Sequence, residues 1–216
     1  MKKKPAFSMI ELVFVIVVVG ILASTALSQM DRDIQQEAIS TVLSDLRLTQ
    51  QTALSDSKHN NSEQQWQRSY WQFRYQKCGN NDYRYSITSD MNYDGINDRN
   101  ESLITSLDSK YLFFDCNSEN DADSRQSRLE KYGIASIEGR GDDCSTLLTK
   151  NSGSIAFDNL GRPHYNVANY STPNFSEIAE IDCAIVFEFS NSNYQEFVVN
   201  IENTTGFISI EGRKNL

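Results

Sequence analysis

The chain has 216 residues, with 20 Lys and Arg against 29 Asp and Glu and a formal net charge of -9. So acidic a balance, with a pI near 4.7, excludes broad phosphate-backbone binding, which depends on neutralising phosphates with Lys and Arg. The length suits one sizeable head plus an appendage, because apolar residues concentrate in an almost unbroken run from Leu12 to Leu27 while the remainder is rich in Asn, Ser, Asp and Tyr.

Lys2-Lys3-Lys4 stands before that run, as the basic region of a secretory signal peptide would, and Ala23-Ser24-Thr25-Ala26 could serve as its small-residue cleavage site. Glu11 argues against this reading. A carboxylate at the start of an apolar run costs roughly 3 kcal/mol at membrane depth on insertion scales, so its presence points to a function. Positive charge ahead of the run is expected to hold residues 1–6 in the cytoplasm and send the bulk of the chain to the other side.

From Phe7 to about His59 there is no Pro and one Gly, Gly20. As a single helix this segment would span on the order of 80 Å at about 1.5 Å per residue. The expectation is a transmembrane half over 7–28 and an amphipathic half over 29–59. In the second half Ile34, Ala38, Val42, Leu46 and Ala53 recur at helical spacing to dock on a head, with Arg32, Glu37, Asp45 and Arg47 elsewhere around the cylinder.

Asn60-Asn61-Ser62 breaks the helical pattern and opens the head, 60–216. Alternation predicts strands at Trp71 to Tyr75 and Tyr83 to Ile87, with others at Lys110 to Phe114, Ser154 to Phe157, Ala184 to Phe189, Glu196 to Ile201 and Gly206 to Ile210. Asn117 to Gln126 and Glu138-Gly139-Arg140-Gly141 read as surface loops. The fold class expected is α+β, a long helix packed against an antiparallel β head.

Between the second and third of these segments lies Asp90-Met91-Asn92-Tyr93-Asp94-Gly95-Ile96-Asn97-Asp98-Arg99-Asn100-Glu101. Oxygen-bearing residues occupy loop positions 1, 3, 5, 9 and 12, with Gly at position 6 and the Ile96 carbonyl at 7, which is the ligand pattern of an EF-hand calcium loop. The candidate ligands are Asp90, Asn92, Asp94, Ile96, Asp98 and Glu101, for a structural calcium ion. The competing reading is a turn in which Asp and Asn cap their own backbone.

Cys78, Cys116, Cys144 and Cys183 show no C-x-x-C spacing, so disulfides in an oxidising periplasm fit better than zinc. Three pairings are open. The sequential one, Cys78 with Cys116 and Cys144 with Cys183, is favoured because each closes a loop of moderate length. Neither His59 nor His164 sits in a catalytic motif, and no Gly-rich phosphate loop occurs. Asp142-Asp143 reads as solvated turn chemistry. The expectation is a non-enzymatic component.

Ala6-Phe7-Ser8-Met9-Ile10-Glu11-Leu12 resembles the processing motif of type IV prepilins, with Ala6 where that family usually has Gly. The resemblance implies cleavage between Ala6 and Phe7 by a prepilin peptidase, removal of a 1–6 leader and methylation of the new Phe7 amine. It also gives Glu11 a role, pairing with the Phe7 amine of a neighbouring subunit. Ser154 to Pro163, Ala184 to Phe189 and Thr205 to Ile210 are similar to the head of the GspH/FimT family of minor pseudopilins and minor pilins. That likeness implies a pilin-like fold and a subunit of a type II secretion pseudopilus or a type IV pilus. Its partners would be other pilin or pseudopilin subunits and the inner membrane, with a cytoplasmic N-terminus and a periplasmic head. The alternative is a DNA-binding minor pilin for transformation, whose tail here would offer Arg213 and Lys214.

Overall fold

The computed structural model describes residues 9–80, 82–117, 120–176 and 178–211, with side chains throughout except at 25–33, 142 and 143. The leader and both sides of its expected cleavage point, 1–8, lie outside these residues.

The unbroken helical sequence forms α1, Met9–Ser55. Ser55 and the polar run after it end the helix before His59. Ala38, Val42, Leu46 and Ala53 are buried against the head, joined by Ile39, with Ile34 packed at the edge of the core. At the other end the large apolar side chains are exposed, Phe14 to 70% and even the least accessible of them, Val18, to 38%.

Among the described residues no helix is long and apolar enough to cross a membrane. The exposed apolar stretch of α1, Met9 to Leu22, covers roughly 21 Å at about 1.5 Å per residue, against about 30 Å of hydrocarbon. The expected membrane half over 7–28, and with it the single-pass inner-membrane placement, is corrected on this finding.

The head is also not one sheet. It holds two four-stranded antiparallel sheets. The first, in the order β2-β1-β4-β5, is built from β1 (Trp71–Gly79), β2 (Asp82–Thr88), β4 (Ser152–Phe157) and β5 (Pro163–His164). The second, β3-β6-β7-β8, is built from β3 (Ile134–Arg140), β6 (Cys183–Phe189), β7 (Phe197–Ile201) and β8 (Ile208–Glu211). A short helix, α2 (Asp142–Leu147), follows β3. Inward residues of both sheets, among them Phe73, Tyr75, Tyr85, Ile137, Ile155, Phe187 and Val199, share one core with the second half of α1.

Three local expectations change. Lys110 to Phe114 makes only isolated bridges, Tyr111 with Ile104 and with Asp123, because its neighbours are turns rather than a second full strand. Glu138-Gly139-Arg140 is strand rather than loop, paired with Val186-Ile185-Ala184 of β6. Gly139 is there for room: a Cβ would overlap the Cys144 carbonyl. Asp142 and Asp143 form the first turn of α2, not a loop.

Candidate functional site

The Asp90–Glu101 loop leaves β2 at the far edge of the first sheet, and its carboxylates are drawn to backbone. Asp90 is buried and accepts the Asp94 N–H at 3.2 Å on one oxygen and the Gly95 N–H at 2.8 Å on the other. The Asn92 Oδ1 accepts from the same Asp94 N–H at 3.1 Å, and Asp94 Oδ1 accepts the Ile96 N–H at 2.7 Å. Glu101, also buried, closes the loop by accepting the Met91 and Asn92 N–H groups on Oε1, at 2.9 and 3.1 Å, and the Asp98 N–H on Oε2 at 3.4 Å. Asp98 stands immediately before a single 3-10 turn, Arg99–Glu101, and Ile96 lies exposed at the rim.

Gly95 has φ +79°, and a Cβ on it would meet the Ala168 carbonyl at 3.3 Å. The left-handed turn and the close approach both call for glycine. Burial raises the Asp90 carboxyl above its ordinary range, with the Gly95 N–H opposing and the nearby Asp94 charge adding to the rise. Arg68 clamps the loop from outside through the Tyr93 carbonyl at 2.7 Å. No group of three or more His, Cys, Asp or Glu side chains that could share a metal ion occurs among the described residues. Asn97 turns to the sheet, where its Oδ1 accepts from Thr88 at 2.6 Å and Gln72 at 3.0 Å.

The other candidates are scattered. Cys78 is bonded to Cys116 across 38 residues and Cys144 to Cys183 across 39. Glu11 lies on the exposed end of α1, in its first turn. Ala6 and Phe7, and Arg213 and Lys214 at the other terminus, fall outside the described residues.

Two polar clusters were not foreseen. Asp45, set by the sequence pattern apart from the docking stripe of α1, is buried, with Tyr85 donating to it at 2.5 Å and the Gln126 amide at 2.9 and 3.0 Å. Burial raises its carboxyl above the usual range against the pull of these donors. The signal existed, since 38, 42, 45, 49 and 53 step along one helical face by threes and fours.

Asp158 ties the turn between β4 and β5. It accepts the Leu160 and Arg162 N–H groups at 2.9 Å each and the Arg162 Nε at 2.8 Å, with His164 Nε2 at 3.2 Å. Burial alone would raise this carboxyl, but the bonds from His164, Arg162 and Leu160 outweigh it and hold it at about 2. His164 is fully buried, and His59 stacks edge-on against Trp66 at 4.8 Å. These clusters are structural ties between elements, with no nucleophile set beside a base.

No family model, no curated protein and no solved structure matches this chain.

Proposed function

We propose that this chain is an assembly subunit of a pilin-like fibre, of the minor pseudopilin or minor pilin kind, and acts by packing rather than by catalysis. The observation that carries the reading is the exposed end of α1. Phe14, Ile16, Val18 and Val19 point in different directions around the cylinder and all stand open to solvent. A helix that is apolar all round calls for burial on every side, and the head covers only its second half. Apolar helices of neighbouring subunits supply that burial when they bundle. The two disulfides suit a head that matures in an oxidising compartment.

Within this reading a prepilin peptidase cuts between Ala6 and Phe7, and Glu11 then pairs with the amine of an adjoining subunit inside the bundle. N-terminal mass spectrometry of sheared fibres tests the first step, with a start at Phe7 expected and a start after Ala23 or Ala26 contradicting it. Glu11→Val is expected to be processed normally yet recovered in sheared fibres at roughly a tenth or less of the wild-type level, since a buried amine left without its carboxylate costs about 3 kcal/mol or more. Equal recovery removes this role.

The Asp90–Glu101 loop is proposed to stiffen the head by taking up calcium. The donor set is all oxygen, as that ion requires, and the oxygens of Asp90, Asn92 and Glu101 already gather about the same backbone stretch, 91–95. Asp94, Asp98 and the Ile96 carbonyl would complete the set. Millimolar calcium is expected to raise the Tm of the protein by a few degrees over chelator, through preferential binding to the native state, and to leave Asp94→Ala unmoved. Equal melting of the wild type in calcium and in chelator leaves the loop a self-capped turn.

A further inference from the structure

On the face of the first sheet turned away from α1, the pleat places Gln72, Arg74 and Gln76 of β1 side by side, with Ser86 of β2 directly opposite Arg74. The segments 96–97 and 113–117 arch over this face and leave a cavity of about 240 Å³. Arg74 is half-buried in its wall, and no described residue accepts a hydrogen bond from its guanidinium or pairs with its charge. The Gln76 amide and the Ser86 hydroxyl line the same cavity and likewise lack a partner among the described residues. The Asn97 Oδ1 is taken by Thr88 and Gln72, which leaves its amide nitrogen to donate.

All four groups offer hydrogen, and one carries a full positive charge. A partly buried cation without a counter-charge is costly, and burial lowers the Arg74 pKa with no carboxylate opposing it. The neighbouring cation is committed elsewhere: Arg99 forms a two-point bond with Asp123 and lies over the Phe113 ring at 5.2 Å. Phe113 and Phe114 supply an apolar wall, their rings 6.4 Å apart and nearly parallel.

We propose that this cavity binds a small organic carboxylate, its planar head on the Arg74 fork and its apolar body against Phe113 and Phe114. The guanidinium fork matches a carboxylate in two parallel bonds. A single uncommitted cation, in a cavity that Asp115 also lines, suits a monoanion and disfavours a dianionic phosphate. The volume admits a ring or a short chain, not an extended polymer.

The test is calorimetric titration of the full chain with benzoate, with its neutral counterpart benzyl alcohol, and with inorganic phosphate. Benzoate is expected to bind one per chain, with neither of the others competing. Arg74→Gln is expected to weaken benzoate at least about tenfold, the scale of a lost charge-assisted pair. Ser86→Ala, a change too small to unfold the sheet, is expected to weaken it a few-fold with the Tm unchanged. Absence of benzoate binding to the wild type, equal binding to Arg74→Gln in a folded sample or to Ser86→Ala, or displacement of benzoate by benzyl alcohol or phosphate would each overturn the proposal.

Discussion

Asp158 is the residue whose chemistry most directly governs the head. Its carboxylate, 1% exposed, receives two backbone N–H groups, an arginine and a histidine, which lower its pKa from 3.8 to about 2. A carboxylate depressed in the folded state contributes stability that is present above its unfolded value and is lost as pH falls through the folded one. The wild type should therefore lose about 2 kcal/mol of stability between roughly pH 4 and pH 2 from this group. Asp158→Asn should be less stable by a similar amount at pH 7, and the two proteins should converge near pH 2. Denaturant unfolding across that range checks it; a constant gap at every pH would mean that the ionised carboxylate contributes nothing.

Among elements, the decisive contact is where α1 meets two turns at once. Gln50 donates to the Gly161 carbonyl at 3.1 Å and to the Thr205 carbonyl at 2.9 Å, so one side chain joins the helix to the β4–β5 turn and the β7–β8 turn. Gly206 has φ +66°, and a Cβ on it would overlap the Gly161 carbonyl and stand 2.6 Å from the Gln50 amide. Gly206→Ala should cost about 3 kcal/mol through left-handed strain and steric overlap together, read as a fall in the unfolding midpoint. A loss under about 1 kcal/mol would mean that the turn moves freely.

The alternating runs at Trp71 to Tyr75 and Tyr83 to Ile87 were legible in the sequence and lie inside β1 and β2, whereas Gly206, read as the start of a strand, stands in the turn before β8. What could not be read was partnership. Whether Glu138-Gly139-Arg140 pairs or loops depends on Ala184 to Val186, far along the chain. Asp45 looked like a solvated charge because its partners, Tyr85 and Gln126, are 40 and 81 residues away. The Arg74 cavity was invisible for the same reason, since β1, β2 and the 113–117 segment must first fold together.

At the scale of the molecule the two halves obey different physics. The head buries a shared core between α1 and two sheets, closed by disulfides over 38 and 39 residues, each worth about 3 to 4 kcal/mol in chain entropy. The first turns of α1 bury nothing on the head and present apolar residues outward. A patch of this kind marks an interaction surface, which in the proposed assembly meets the helices of other subunits. The most direct measurement is photo-crosslinking from a benzophenone amino acid placed at Val15 on that surface, compared with one at exposed Leu107 in the head. The account predicts adducts from position 15 to the α1 segment of a second copy or of another fibre subunit, and none from position 107. Monomer alone from both positions, in cells that make fibres, would contradict it.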